Sequence, residues 1–417
     1  MNGNHSIEEW IYRPRWLQPH LAQAVQVHPV VVVTGARQVG KSTLLRHAPP
    51  MSGWRYRSLD DLDVLAQAER APEALWAGSN AVVVDEAHRA PKLFLAVKRA
   101  VDECRAMHFV LSGSANFLLL RRVSESLAGR AVYFVLRPMT WGEQVGRPPP
   151  KLLQDLLAGE LPPEGGVKPA PDPILLILKG FLPPLMWLSS QEAATEWWRG
   201  YVMTYLERDL QALSHVASLA DFRRVMELAA LRTGQLVNQT ELARDAGVSQ
   251  PTVHRYLNLL EVSFLIHRVP AFAKSKTKRL IKSPKLYWAD PGLAAFLMGH
   301  YREESLRNSR EVGALFENLV MLHLQVLADL LSPPGRIYHW RTISGEVDFV
   351  VEWGRRLVAV ETKLATRARY ADVRALELFL TQHEGCQAGI LVYCGEETVR
   401  LGEKIIAVPW QALAGVG

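Results

Sequence analysis

The sequence has few cysteines and no signal for export. Its 417 residues include three cysteines, none spaced as a short zinc or redox pair, which is typical of a protein from a reducing compartment. The start of the chain is acidic and aromatic, unlike a secretory signal, and no apolar run approaches the roughly 18 residues of a membrane helix. We therefore expect a cytoplasmic protein with no membrane span.

The sequence also has little excess of charge of either sign. Hydrophobic residues make up 48% and charged residues 22%, which disfavours disorder, collagen and coiled coil as the main architecture. The net charge of +6 is local, because the stretch 263–285 contains seven cations and no acid, so that the rest of the chain sums to −1. This stretch, the basic segment, indicates a nucleic-acid partner.

Short apolar runs alternate with helical patterns in the first third of the chain. The runs at 30–35, 81–86, 109–114 and 131–136 are rich in β-branched residues, as are doubly buried strands of a parallel sheet. Eight prolines and four glycines follow within residues 146–173, which predicts a mobile insertion. Helical patterns come next, and strand-like runs after Glu311 predict a second α/β unit.

A phosphate-binding loop follows the first of these strands. The string GARQVGKS matches the pattern G-x-x-x-x-G-K-[ST] between a buried strand and a helix. Its glycines let backbone amides face phosphate oxygens, Lys41 reaches the β- and γ-phosphates of ATP, and Ser42 binds Mg²⁺. The predicted nucleotide contacts are Gly35, Arg37, Gln38, Val39, Gly40, Lys41, Ser42 and Thr43.

Two adjacent carboxylates end the run at 81–86. We predict that Asp85 holds the magnesium ion through water, and that Glu86 polarises the attacking water as general base. The letters DEAH that begin at Asp85 resemble a helicase motif, but four letters are weak evidence. We therefore assign no role to His88.

Later residues are candidates for assisting hydrolysis. The run FVLSGS supplies Ser112 and Ser114, either of which orients water or the γ-phosphate as a sensor, and the alternative is that they cap the next helix. Arg122 and Arg130 are candidates for a cation that reaches the γ-phosphate across a subunit boundary, and the alternative is that they are plain surface arginines.

A helix-turn-helix pattern lies at 238–261. Asn238 and Ser249 are predicted N-caps, and Gly247 makes the turn. The exposed face of the second helix would then carry the predicted DNA contacts Gln250, Thr252, Arg255 and Asn258. The basic segment follows as hairpin and wing, with further contacts at its tip from Lys274, Lys276, Lys278 and Arg279. The alternative is a module that packs between domains with solvated charges.

The string EVDFVVEWGRRLVAVETK predicts a hairpin with carboxylates on one face. Glu361 and Lys363 lie two apart on a strand, and the hairpin brings Asp348 alongside. Asp348, Glu361 and the helical Glu317 are predicted to hold Mg²⁺, while Lys363 assists the nucleophile or transition state. Two alternatives are an exposed pair of Glu361 with Lys363, and a nuclease-like fold that is catalytically idle.

Together these motifs resemble a family of predicted AAA+ type ATPases of archaea and bacteria, in which a P-loop domain precedes a C-terminal domain of unknown function. The resemblance rests on GARQVGKSTLL, VVVDEAHRAP, LSGSANFLLL, SESLAGR and RPMTWGE, with the distal motifs, and covers nearly the whole chain. It implies a winged helix and a PD-(D/E)xK restriction-endonuclease-like fold, ATP hydrolysis with magnesium, and homo-oligomers, for which a hexameric ring is one form.

We therefore predict four regions: a P-loop domain (1–145), a Pro/Gly-rich insertion and linker (146–190), a helical and winged-helix DNA-binding region (191–300) and a nuclease-like domain (301–417). We expect a magnesium-dependent ATPase that remodels, branch-migrates or processes duplex or branched DNA, with nuclease activity left open. The alternative is a nucleotide-gated switch or scaffold. A small-molecule kinase is disfavoured, because it leaves the second half of the chain without a task.

Overall fold

A computed structural model describes residues 11–113, 126–204 and 218–416, without the side chains of residues 276, 278 and 280. The chain divides into two compact units. The first takes in residues 1–35, 40–136 and 143–146, and the second takes in residues 36–39, 137–142 and 147–417. This division does not separate 191–300 from 301–417.

The first unit is built on a five-stranded parallel sheet. Its strands are β1 (Val30–Thr34), β2 (Arg55–Ser58), β3 (Ala81–Asp85), β4 (His108–Ser112) and β5 (Ala131–Val135). They lie in the order β2-β3-β4-β1-β5, and β1 is buried along its whole length. The predicted parallel α/β domain is confirmed. Strand β2 has the sequence RYRS and is half-buried, so it gave no apolar signal.

Helices cover this sheet. They are α1 (Gln18–Val27), α2 (Lys41–His47), α3 (Leu62–Arg70) and α4 (Pro91–Glu103), and the short helix α5 (Trp141–Gln144) follows in the chain. Helix α3 begins where the carboxylate of Asp61 accepts hydrogen bonds from the amides of Asp63 and Val64 at 2.9 and 3.2 Å. Helix α4 buries Leu93, Phe94 and Val97 in the core of the unit.

The predicted mobile insertion is instead packed structure. Helix α6 (Leu152–Ala158) forms inside the proline-rich stretch and buries four leucines, and the short strand β6 (Gly165–Gly166) pairs with a strand of the second unit's large sheet. The prolines flank α6 instead of interrupting it, and Gly159 ends it with a φ of 87°. The prediction from composition was wrong because four leucines within seven residues supply enough apolar surface to fix the segment.

The helical region of the second unit contains the predicted helix-turn-helix. Its helices are α7 (Pro173–Lys179), α8 (Gln191–Tyr201), α9 (Leu219–Ala230), α10 (Gln239–Ala246), α11 (Gln250–Val262), α12 (Lys276–Ile281), α13 (Pro291–Leu297) and α14 (Glu303–Arg307). Asn238 and Ser249 cap α10 and α11, and Gly247 takes a φ of 66°, as predicted. Strands β7 (Ile266–Val269) and β8 (Lys285–Trp288) pair antiparallel after α11.

A seven-stranded mixed sheet completes the second unit. Its remaining strands are β9 (Arg336–Arg341), β10 (Glu346–Trp353), β11 (Arg356–Lys363), β12 (Cys386–Tyr393), β13 (Glu397–Arg400) and β14 (Ile405–Pro409), and the helices here are α15 (Val312–Asp329) and α16 (Arg374–Gln382). The order is β6-β13-β14-β12-β11-β10-β9. A two-residue turn joins β10 to β11, as predicted.

Helix α15 is long and apolar enough to cross a membrane, judged by length and composition. The helix includes Glu317, Asn318 and His323, so it is not an uninterrupted apolar run, and the expectation of no membrane span stays a prediction. In the structure, 67% of the helix is buried inside the protein, and Glu317 lies within it. A core helix meets the same length and composition criteria.

Candidate functional site

The backbone of the phosphate-binding loop adopts conformations that favour glycine. Gly35 and Gly40 have φ values of 146° and 90°, and Gln38 between them has a φ of 66°. A Cβ atom at Gly35 would collide with the carbonyl oxygen of Leu136. The first glycine of the motif is therefore required both by its dihedral angle and by the close approach of another backbone segment.

Lys41 begins α2 and is almost completely buried, with 7% of its surface exposed. Its Nζ atom donates a hydrogen bond to the carbonyl oxygen of Gly35 at 3.1 Å. The neighbouring Ser42 and Thr43 are half-buried. A buried ammonium beside a curled backbone suits the phosphates of a nucleoside triphosphate, because their negative charge compensates the desolvation of the lysine.

The other predicted loop contacts differ in exposure. Arg37 and Gln38 are exposed, whereas Val39 is fully buried. An exposed side chain can reach a ligand from solvent, but a buried valine contributes only through its backbone. We therefore keep Val39 as a backbone contact.

Side chains from two neighbouring strands orient the carboxylate of Asp85. Asp85 ends β3 and is 3% exposed. The hydroxyl of Ser112 on β4 donates to its Oδ1 atom, and the hydroxyl of Tyr56 on β2 donates to its Oδ2 atom at 2.5 Å. Ser42 and Asp85 supply the hard oxygen donors that Mg²⁺ prefers, so these residues fit a magnesium ion bound with nucleotide.

Tyr56 is a residue that the sequence motifs do not reveal. Burial raises the pKa of its phenol to about 12, and the hydrogen bond to Asp85 adds to the effect, so the group remains a donor at neutral pH. The guanidinium of Arg46 lies 4.3 Å from the centre of the tyrosine ring. In the sequence, Tyr56 is only a tyrosine in a polar strand. Its role becomes visible because β2 pairs with β3.

The predicted general base, Glu86, has a defined neighbour. Its backbone has a φ of 53°, and its Oε2 atom lies 3.2 Å from Nδ1 of His88. His88, to which we assigned no role, therefore lies close to the candidate base. The 3₁₀ turn Ala87–Arg89 that follows β3 brings the two side chains together.

The structure describes two of the later candidates for assisting hydrolysis, Ser112 and Arg130. Arg130 forms a two-point ion pair with Asp102 of α4, with distances of 2.5 and 2.9 Å. This pairing favours the interpretation of a surface arginine, because a finger must be free to reach a phosphate. Ser114 and Arg122 lie outside the described residues.

Replacing Tyr56 with phenylalanine is expected to raise, by about 10-fold, the Mg²⁺ concentration needed for half-maximal ATP hydrolysis, as loss of a group that orients a metal ligand does. Asp85 would keep only one of its two orienting hydroxyls. Titration of ATPase activity with Mg²⁺ measures the shift. Tyr12→Phe, which removes a hydroxyl bonded to Gln18, is the matched control. An unchanged magnesium requirement would show that Tyr56 does not position Asp85.

The chain matches three family models. Residues 27–145 match an AAA domain, residues 172–304 a domain of unknown function (DUF8612) and residues 312–413 a domain of unknown function (DUF4143). Uncharacterized proteins of Mycobacterium tuberculosis and Mycobacterium bovis are each 32% identical over 402 residues, which cover 95% of this chain and 83% of each relative. The chain belongs to this family of AAA-domain P-loop ATPases. The ATPase binds nucleotide and hydrolyses ATP.

Solved structures also resemble the ATPase in part. A Walker-type ATPase of Pyrococcus abyssi aligns with a TM-score of 0.42 at 18% identity, over 67% of this chain and 94% of the other. The family assignment rests on the AAA-domain match and the mycobacterial relatives.

The second helix of the helix-turn-helix, α11, presents part of the predicted DNA face of the ATPase. Gln250 and Arg255 are exposed, and Thr252 is half-buried. Asn258 is engaged within the unit, because its Oδ1 atom accepts a hydrogen bond from Arg268 at 2.7 Å and its Nδ2 atom lies 2.9 Å from His254. The amide of Asn258 thus already has partners, and its contact with DNA stays a prediction.

The basic segment is less free than its sequence suggests. The hairpin is present, but its 15-residue connection contains α12 where we predicted a simple tip. Arg279 forms two hydrogen bonds with Glu352, at 3.0 and 2.9 Å, and stacks on Phe272, so its guanidinium is engaged within the unit and its contact with DNA stays a prediction. Lys274 is exposed, whereas the side chains of Lys276 and Lys278 lie outside the described part of the chain.

The predicted carboxylate hairpin forms. The pairing of Phe349 with Val360 places Asp348 beside Glu361 on the same face of β10 and β11. Lys363 contacts Glu361 at 2.9 Å between Nζ and Oε1, and the Oε2 atom of Glu361 is buried without a hydrogen-bond partner among the described residues. The sequence thus predicted the neighbours of this face correctly.

Lys285, a lysine of the basic segment, lies among carboxylates of this region. Lys285 is 3% exposed, and its Nζ atom lies 3.2 Å from Glu317, 2.8 Å from Glu346 and 3.6 Å from Asp348. Burial alone would lower the pKa of Lys285, but the charges of these carboxylates outweigh it and raise that pKa. Burial, followed by the charge of Asp348, raises the pKa of Glu317 to about 8, and the same two causes raise that of Glu361.

The prediction that Glu317, Asp348 and Glu361 together hold Mg²⁺ does not agree with the structure. Within residues 11–113, 126–204 and 218–416, no three His, Cys, Asp or Glu side chains are grouped so as to hold a metal ion. The ammonium group of Lys285 lies 3.2 Å from Glu317 and 3.6 Å from Asp348, two of the three carboxylates. The residues present do not fit the metal implied by the nuclease-like motif.

Proposed function

We propose that this protein is a magnesium-dependent ATPase that acts on DNA through its helix-turn-helix. The observation that carries the ATPase part is the buried Lys41 at the curled loop, with Asp85 oriented by side chains of two adjacent strands. When bound, a magnesium ion would be held by Ser42 and Asp85 and would neutralise charge on the phosphates.

The residues of the nucleotide site have separate roles in the proposed hydrolysis. Lys41 places a fixed positive charge where negative charge develops on the transferred phosphoryl group. Glu86 accepts a proton from the attacking water, and His88 lies 3.2 Å from its carboxylate. Tyr56 and Ser112 fix the rotamer of Asp85, which lowers the cost of organising the site before reaction.

The DNA part of the proposal is supported by the exposed end of α11. A helix-turn-helix places the N-terminal residues of its second helix in the major groove, and Gln250 and Arg255 are exposed there. Lys274 and Lys282 are exposed on the basic segment and have the charge that phosphate contacts need. Fewer cations are free than the sequence count suggests, so we expect modest affinity and a shallow salt dependence.

Arg255→Ala is expected to weaken DNA binding by about 10-fold, the effect of removing one arginine from a base or phosphate contact. The measurement is fluorescence anisotropy with labelled duplex, single-stranded and junction DNA at two salt concentrations. Arg70→Ala, which removes an exposed arginine of α3, is the matched control and should leave the affinity unchanged. If the parent protein binds none of the three DNAs at moderate salt and none stimulates its ATP turnover, the proposal fails.

A second candidate function is a nucleotide-gated switch or scaffold. The position of Lys285 among the carboxylates favours it, because a nuclease site needs a metal there. Asp348→Ala and Lys363→Ala discriminate between the candidates. Loss of a magnesium-dependent DNA cleavage in both variants would support a nuclease, whereas a parent protein that cleaves no DNA would support the scaffold.

A further inference from the structure

Lys285 reaches the carboxylate cluster from outside the nuclease-like hairpin. It is the first residue of β8, where it pairs with Val269 of β7 on one side and bridges to Leu236 on the other. Its neighbour Leu286 also donates a backbone hydrogen bond to Gln235 at 3.0 Å. The backbone at Lys285 is thus fixed on both sides, so the lysine cannot leave the cluster by a movement of a free loop.

The ammonium group lies among several carboxylates. It has three hydrogens, and three carboxylates lie around it, those of Glu317, Glu346 and Asp348 at 3.2, 2.8 and 3.6 Å. Only 3% of the residue is exposed, so water does not supply the compensation. Buried carboxylates require a cation or a proton, and this chain supplies the cation itself.

One oxygen atom of each carboxylate that a metal would use already accepts a hydrogen bond or faces a cation. The Oδ2 atom of Asp348 accepts hydrogen bonds from the amide and the hydroxyl of Thr362, at 2.9 and 2.8 Å. The Oε1 atom of Glu317 accepts from both Lys285 and Tyr287, and Oε1 of Glu361 faces Lys363. A magnesium ion demands near-octahedral oxygen ligands at about 2.1 Å, and the positive charge of a fixed ammonium group beside Glu317 and Asp348 opposes its binding.

We propose that Lys285 permanently takes the place of a divalent cation in the carboxylate cluster of β8, β10 and α15, so that this cluster binds neither Mg²⁺ nor Mn²⁺ and cuts no nucleic acid. The lysine is a positioning residue that holds three carboxylates together. This inference goes beyond the proposed ATPase function and does not depend on it.

The test uses the full chain without nucleotide and Mn²⁺ as the probe. Binding is followed by electron paramagnetic resonance of free Mn²⁺, with Ser42→Ala in every variant so that the phosphate-binding loop contributes no uptake. The protein with Lys285 intact and its Asp348→Asn derivative should take up the same amount of Mn²⁺. If the protein with Lys285 intact takes up Mn²⁺ and the Asp348→Asn substitution abolishes this uptake, the proposal is overturned.

Removing the lysine should open the site. Lys285→Ala is expected to gain about one Mn²⁺ per chain, through the freed carboxylates, and Lys285→Ala with Asp348→Asn should lose it again. Lys285→Arg keeps a cation and should gain none. A folded Lys285→Ala protein that takes up no Mn²⁺ would contradict the idea that the lysine stands in for a metal. If Lys285→Ala does not fold, the comparison of the parent with Asp348→Asn decides alone.

Discussion

Replacing Lys41 with alanine is expected to lower kcat for ATP hydrolysis by at least about two orders of magnitude, since a preorganised charge on a developing anion contributes on this scale. Lys41 is buried and donates to the carbonyl oxygen of Gly35, so its position is set before nucleotide arrives. A preorganised charge stabilises the transition state without reorganisation, and alanine removes it. The measurement is steady-state phosphate release at saturating ATP and magnesium.

The control for Lys41 is a cation of the same unit with no access to the phosphates. Arg99 pairs with Glu103 along the exposed face of α4, and both side chains are mostly exposed. Arg99→Ala should leave kcat unchanged. A Lys41→Ala protein that binds ATP and retains parental turnover would show that hydrolysis occurs elsewhere.

Replacing Lys285 with methionine is expected to lower the free energy of unfolding of the second unit by about 3–5 kcal/mol, the usual cost of removing one partner from a buried ion pair. Glu317 and Asp348, whose side chains are 14% and 13% exposed, would be left without this cation. Guanidinium denaturation followed by tryptophan fluorescence measures the change, because Trp288 and Trp340 are buried in this unit.

Lys363→Met is the matched control for Lys285. Lys363 is 42% exposed and contacts Glu361, so its loss should cost less than about 1 kcal/mol. Adding Glu317→Gln to Lys285→Met should recover part of the lost stability, because it removes one of the uncompensated carboxylates. Equal losses for Lys285→Met and Lys363→Met would contradict the assignment of Lys285 as the central cation.

The sequence predicted features that are set by local spacing. The strand, loop and helix of GARQVGKS form as expected, and the two-residue turn after Trp353 brings Asp348 beside Glu361. The caps of α10 and α11 were also predicted correctly, because capping depends on residues three apart. In these cases the physical cause lies within a short segment, so that one sequence contains enough information.

The errors share a different cause, which is pairing between residues distant in sequence. Arg279 and Lys285 were counted as free cations of the basic segment, yet their partners Glu352 and Glu317 lie 73 and 32 residues further along the chain. Tyr56 orients Asp85 only because β2 and β3 pair. Charge counted along a chain cannot show which cations are neutralised by folding.

The hairpin of β7 and β8 also links α11 to the carboxylate cluster within the second unit. Glu261 near the end of α11 accepts a hydrogen bond from Arg268 of β7 at 2.9 Å, and β7 pairs along its length with β8, which begins at Lys285. Helix α11 is therefore connected to the ammonium group of Lys285 through hydrogen bonds and covalent bonds. Helix α11 and the carboxylate cluster therefore belong to one bonded network within the second unit.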